Sequence, residues 1–251
     1  MDAVTTSGRR PLYRRVLLKL SGEALGGDAS TGYVDPTVLQ VVAAEVRDVT
    51  ARGVQVAIVV GGGNIARGSD LSRRLGIEEV TGHTMGMLAT VLNGLALMDV
   101  MERDGLVVRV MSSIEMHQLA EPYIRRRALR HLEKGRVVIF VAGTGSPYFS
   151  TDTAAALRAI EMQADALLMA KKGVSGVYDK DPRKYPDAVM FTHLDHMDIL
   201  NRDLRVMDAT AAALCKDNNM DIVVFDVTRP GNIIRAVGGE AIGTLVGSAR
   251  R

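Results

Sequence analysis

A lysine stands inside an apolar run near the start of the chain, Val16-Leu17-Leu18-Lys19-Leu20, which Ser21-Gly22-Glu23 closes. Burying a lone ammonium is costly, so a strand that carries Lys19 needs something anionic to meet it. The rest of the chain offers a site for such an anion. Gly61-Gly62-Gly63-Asn64 follows the apolar run 54–60, and Gly143-Thr144-Gly145-Ser146-Pro147 follows 137–142. Ser150-Thr151-Asp152 then opens a helical pattern, and Lys171, Lys172 and Gly173 follow the run 166–170. Glycine lets backbone N–H groups approach a ligand, a helix N-terminus attracts anions, and lysine supplies a point charge. A tight strand-to-helix turn explains any one of these loops alone. Their combination with Lys19 predicts phosphate binding.

Other chemistries find less support. No G-x-x-x-x-G-K-[ST] segment is present, and GGGNIARG (61–68) does not fit G-x-G-x-x-G, so neither a P-loop nor a dinucleotide fingerprint is read. No Cys/His cluster has metal-ligand spacing. His193 and His196 lie in a polar stretch and read as solvated, and Cys215 reads as packing rather than as a nucleophile.

The elements that must position these residues alternate. Short β-branched runs occur at 16–20, 54–60, 106–110, 137–142, 166–170 and 221–227. Helical spacing fills about 36–51, 84–104, 122–134, 151–163 and 208–218, with Pro36 at a first-turn position after Asp35. Alternating strands and helices predict an α/β fold with a mainly parallel sheet covered on both faces. In such sheets ligands bind at the carboxyl ends of the strands, where the glycines and lysines above gather. The turn-rich stretch 172–203, with Pro182 and Pro186, reads as a hairpin and an excursion off the sheet.

The 251 residues suit one large domain, expected over 13–247 after a polar, flexible start at 1–12. Apolar residues make up 47% and charged residues 24%, as in ordinary globular proteins, and the 13 methionines are scattered as core filling. A net charge of +2 calls for neither nucleic acid nor membrane, and Arg125-Arg126-Arg127 reads as a solvated or subunit-facing surface. One cysteine excludes a disulfide framework and fits a reducing, cytoplasmic compartment. No secretory leader and no transmembrane helix are expected.

The motifs LKLSGEAL (18–25), VVGGGNIARG (59–68), MGMLATVLNGLAL (85–97), FVAGTGSPYFSTDTAAALRAIEM (140–162), GVYDKDP (176–182), VMDATA (206–211) and GTLV (243–246) occur in an order that resembles the bacterial UMP kinases of the amino-acid-kinase superfamily. The resemblance spans about 13–247. It implies an αβα sandwich, a homohexamer built from dimers, and transfer of phosphate from ATP to UMP with Mg²⁺. It also implies inhibition by UTP and, in many members, activation by GTP. By position, Lys19 stabilises the transferring phosphoryl group, Ser21, Gly22 and Gly63 lie at the ATP phosphates, and Gly61 adds a backbone amide. Gly62 and Arg67 meet the UMP phosphate, Arg67 also serving ATP. His83, Thr144, Gly145, Ser146 and Thr151 belong to the UMP side, and Tyr178 and Asp181 to adenosine. Asp152 holds Lys19 or the magnesium environment, and Asp208 orients Lys19. No protein-held metal is implied, the magnesium arriving with ATP.

The chain departs from that pattern in four places. His83 replaces an acidic residue, Ser146 an asparagine and Ser175 an aspartate, and Lys171-Lys172 replaces a Thr-Lys pair. Two further readings therefore stand beside the first: a sibling enzyme that phosphorylates a carboxylate or carbamate, and a nucleotide-sensing protein without turnover.

Overall fold

The computed structural model describes residues 11–27, 32–202, 204 and 206–247. Of the expected flexible start, residues 1–10 lie outside the described residues. Leu12 and Tyr13 both donate their backbone N–H to Val237 O, at 3.1 and 3.4 Å.

Strand β1 (Arg15–Leu20) leads into a single turn, α1 (Gly22–Leu25), and then α2 (Pro36–Ala51) and β2 (Gln55–Val60). Two helices follow, α3 (Gly68–Leu75) and α4 (Glu79–Arg103), before β3 (Val108–Ser112), β4 (Glu121–Pro122), α5 (Arg125–Glu133) and β5 (Val137–Val141). Next come α6 (Thr151–Glu161) and β6 (Ala166–Lys171), then a hairpin of β7 (Val177–Tyr178) and β8 (Met190–Phe191). The chain closes with β9 (His193–Leu194), α7 (His196–Asn201), α8 (Ala209–Asp217), β10 (Asp221–Asp226), α9 (Asn232–Val237) and β11 (Thr244–Val246).

Among the described residues nine strands form one sheet in the order β4-β3-β5-β2-β1-β6-β10-β11-β9. Every neighbouring pair is parallel except β10 with β11. Side chains alternate along a strand, and β1 divides accordingly. Val16, Leu18 and Leu20 pack with α2, α4 and α9 on one face, while Leu17 packs with α5, α6 and α8 on the other. Leu17, Leu18 and Leu20 are fully buried, each stabilising the fold by roughly 1.5–3 kcal/mol. Alternation puts Lys19 on the α6 face. The sheet with helices on both sides is the αβα arrangement expected.

Several boundaries differ from the pattern reading. The strand expected to 142 stops at Val141 because Ala142 takes a left-handed backbone, φ 61°. Thr90 of α4 holds that bend, its Oγ1 accepting from Ala142 N at 2.7 Å. The helix expected from 84 starts at Glu79. The segment 172–203 leaves the sheet as the β7–β8 hairpin, as expected, but returns to pair β9 with β11 at the sheet edge.

Helix α4 bears on the expectation of no transmembrane helix. Its 25 residues are long and apolar enough to cross a membrane by length and composition. Its Val91, Leu97 and Met101 instead pack into the core beneath the sheet.

Candidate functional site

Lys19 is the penultimate residue of β1, with only 5% of its surface exposed. Its Nζ lies 2.6 Å from Oδ1 of Asp152 in the first turn of α6. The anion that the buried lysine demands is thus supplied in part by the protein. Parallel strands end side by side, so the turns after β1 and β2 share one edge, and they press together there. Gly61 N donates to Leu20 O at 2.8 Å. A Cβ on Gly61 would stand 2.6 Å from Gly22 N, and one on Gly22 would stand 2.9 Å from Asn64 N. No side chain fits between the two turns, so no side chain covers the wall they form, although the Gly61 amide is itself held by Leu20 O.

Ser21 caps α1, accepting from Ala24 N at 3.1 Å. Below the turns, α4 supplies two buried polar groups. Asn93 donates to Gly61 O at 2.7 Å and to Asn64 Oδ1 at 2.7 Å, while Thr90 holds Ala142. Sequence reading passed over both, because a single polar residue in a helix resembles a solvent-facing position.

The cavity these elements enclose is about 380 Å³. It is lined by Lys19, Ser21, Gly22, Gly61, Gly62, Gly63, Arg67, His83, Thr151 and Asp152, all singled out from sequence, and also by Glu23, Thr90 and Tyr148. Arg67, half-exposed, pairs with Glu23 across the mouth. An exposed pair of this kind holds weakly, so an arriving phosphate can displace the carboxylate. His83 of α4 packs its ring on Tyr148, centroids 4.8 Å apart, with Nε2 3.6 Å from Glu79 Oε1.

Thr144, Gly145 and Ser146 lie outside that lining. Thr144 Oγ1 accepts from Ser146 N at 3.2 Å, closing a local turn. Gly145, at φ 83°, rests against Ser113, where a Cβ would meet the backbone O at 2.9 Å. Ser113 Oγ donates to Gly143 O at 2.8 Å and accepts from buried Arg158 at 2.9 Å. Arg158 in turn stacks on Tyr123 at 3.7 Å and pairs with Glu161 at 2.5 Å. This network fixes the loop behind the cavity.

Tyr178 and Asp181 line a second cavity of about 530 Å³, with Lys171, Gly176, Leu204 and Val206. Asp181 also builds its own turn, Oδ1 accepting from Arg183 N at 3.0 Å.

Asp208, expected to orient Lys19, stands at the start of α8. Asp208 caps α8 by accepting from Ala211 N at 2.9 Å, and it takes the hydroxyls of Thr153, at 2.9 Å, and Ser150. Ser150 Oγ in turn accepts from Asp152 N at 3.0 Å. Asp208 therefore positions the start of α6, and Asp152 meets Lys19. Burial alone would raise the pKa of Asp208. The hydrogen bonds from Ser150, Ala211, Thr153 and Thr210 outweigh it and hold the carboxyl below its ordinary value. A depressed carboxyl stabilises the fold above its unfolded pKa and loses that contribution as pH falls through the folded value. Asp208→Ala is expected to cost about 1–2 kcal/mol at neutral pH. In denaturation curves the gap to the parent protein should narrow on acidification below the ordinary aspartate range.

With this geometry in place, the comparisons with known proteins become informative. The profile described as the Amino acid kinase family matches residues 14–226. The chain belongs to that family. Among curated amino acid kinase relatives, the uridylate kinase of Pediococcus pentosaceus is 58% identical over 234 residues, which cover 93% of this chain and 96% of that one. The UMP kinase of Bacillus anthracis superposes with a TM-score of 0.91 at 41% identity, covering 96% of this chain and 98% of that one. The UMP kinase of Ureaplasma parvum gives 0.88 at 37% identity, covering 94% and 99%. The mostly parallel αβα sheet is the amino-acid-kinase fold of these structures.

Proposed function

We propose that the chain transfers the γ-phosphoryl group of ATP to UMP, giving ADP and UDP for pyrimidine nucleotide synthesis. The observation that carries this reading is the Lys19–Asp152 pair, 2.6 Å apart at a cavity walled by the glycine turns after β1 and β2. The relatives named uridylate kinase and UMP kinase support the choice of acceptor.

Phosphoryl transfer needs positioning and charge neutralisation more than covalent protein chemistry. On this reading Lys19 neutralises the group in flight, and Asp152 fixes the ammonium. Ser21, Gly22 and Gly63 present backbone groups to the ATP phosphates, and Gly62 and Arg67 meet the UMP phosphate, while Gly61, its N–H held by Leu20 O, shapes the turn rather than offering the backbone amide expected of it. Arg67, at the mouth, also reaches ATP. His83 and Thr151 face the nucleoside of UMP, and Thr144, Gly145 and Ser146 form its supporting loop. Tyr178 and Asp181 take the adenosine.

Magnesium arrives with ATP. Such an ion is held by one or two carboxylates plus phosphates, and Asp152 provides a carboxylate beside the phosphate site. The ion neutralises phosphate charge when bound.

The family resemblance extends the proposal to a homohexamer inhibited by UTP and activated by GTP, acting in the cytoplasm, with 13–247 working as one domain. Leu88 and Leu92, one turn apart on α4, are 48% and 56% exposed, an apolar surface suited to a second copy.

ADP formation should be measured with Mg²⁺ against UMP, dUMP, CMP, GMP and AMP. Turnover concentrated on UMP is the expected result. Turnover on another monophosphate would move the specificity, and binding of UTP or GTP without turnover would replace the enzyme by a sensor. A second expectation concerns the residue that departs from the family pattern. His83→Asp should shift the UMP KM severalfold and leave the ATP KM within twofold, as read from paired saturation curves. Unchanged UMP kinetics would remove His83 from the acceptor site.

A further inference from the structure

The two cavities have to communicate if one ATP molecule is to use both, and one residue stands between them. Lys171 ends β6, the strand paired with β1, where Lys19 is opposite Met169. The two-residue period puts Lys171 on the same face as Met169 and Lys19, one pleat further toward the ligand edge. It lines the cavity of Tyr178 and Asp181. Its ammonium also feels the charges of Asp152, Lys19 and Glu23, which line the other cavity.

We propose that Lys171 is a second phosphate-binding lysine, placed to hold the phosphates between the adenosine cavity and Lys19. The proposal rests on the phosphotransfer reading above and deepens it. Lys171 Nζ donates to Val206 O at 2.7 Å. A neutral carbonyl is a weak partner for a partly buried ammonium, and desolvation lowers its pKa accordingly. A polyphosphate threading from Tyr178 to Lys19 would replace that carbonyl with an anionic acceptor. The lysine would then offset charge that accumulates on the β-phosphate as ADP leaves. No atom is transferred to or from it.

Lys171→Met tests this with adenosine, AMP-PNP and UMP as probes. The expected result is at least a tenfold loss of AMP-PNP affinity and at least a tenfold fall in kcat. Adenosine affinity and UMP KM should stay within twofold, and Lys171→Arg should recover part of the AMP-PNP affinity. Equal losses for adenosine and AMP-PNP would mean that the cavity has collapsed, which overturns the proposal in favour of a structural peg on Val206. Undiminished AMP-PNP affinity would overturn it outright.

Should Lys171→Met fail to fold, a crystal structure of the parent chain with AMP-PNP and Mg²⁺ decides. Nζ within about 3.2 Å of a phosphate oxygen supports the proposal, and Nζ still on Val206 O refutes it. If UMP is turned over normally by Lys171→Met, this inference fails alone. If no monophosphate is turned over yet AMP-PNP binding depends on Lys171, the phosphotransfer reading fails and the inference stands.

Discussion

Lys19→Ala should lower kcat by about 10²–10³-fold and still yield a folded protein. On the proposed reading the ammonium, only 5% exposed, stands where charge spreads over the transferred phosphoryl group, and a fixed charge there acts most strongly in the transition state. Structure and chemistry can be separated at this position. Removing one partner of a fully buried ion pair costs about 3–5 kcal/mol, because the other charge is stranded. The side chain of Asp152 keeps 18% exposure and lies in the first turn of α6, near the positive end of the helix dipole. The loss on Lys19→Ala should therefore be smaller, about 1–3 kcal/mol. Adding Asp152→Ala removes the stranded charge, so the double variant should regain stability in urea melts and regain no turnover. A Lys19→Ala protein with the parent kcat would take Lys19 out of the chemistry.

That separation bears on what the amino-acid pattern can reveal. Lys19 was legible because a charged residue inside an apolar run demands an explanation. The six principal strands were legible because doubly buried strands read as continuous apolar stretches. Helix α3 was not, since none of its residues is buried and GSDLSRRL carries no core-facing stripe. Strand β11 was missed at three residues, too short to show a period. Asp208 was legible as a helix cap, while the hydroxyls it takes were not. An aspartate before a helix announces a cap, and only the fold says that Ser150 and Thr153 come within its reach. Lys171 was visible at the strand end, yet its position between two cavities depends on the β7–β8 hairpin covering one of them. Elements held by their own pattern are readable; residues whose role depends on a distant loop are not.

Glycine content gives the sharpest case of that difference. Gly62→Ala is expected to lower kcat/KM for UMP by about 10²-fold or more, as a displacement of order 1 Å at a reacting group does. It should also destabilise the fold by about 1–3 kcal/mol through overpacking. A Cβ at Gly62 would stand 2.8 Å from Ala89 Cβ, 2.8 Å from Gly86 O and 2.9 Å from Thr90 N. Two of those three atoms are backbone of α4, which is anchored in the core and cannot swing aside as a side chain would. The turn after β2 would have to lift away from α4, pulling on the Asn93 bond to Gly61 O and carrying the amides out of line with Lys19. Gly105 supplies the control. Its φ is 88° and nothing lies within 4 Å of a built Cβ. Gly105→Ala should cost only the strain of a left-handed alanine, about 1–2 kcal/mol, with kcat/KM unchanged. Kinetics and melts of the two variants therefore distinguish a glycine kept for its conformation from one kept for the space it leaves. Equal activity in both would mean that the glycine turn does not shape the UMP side of the cavity.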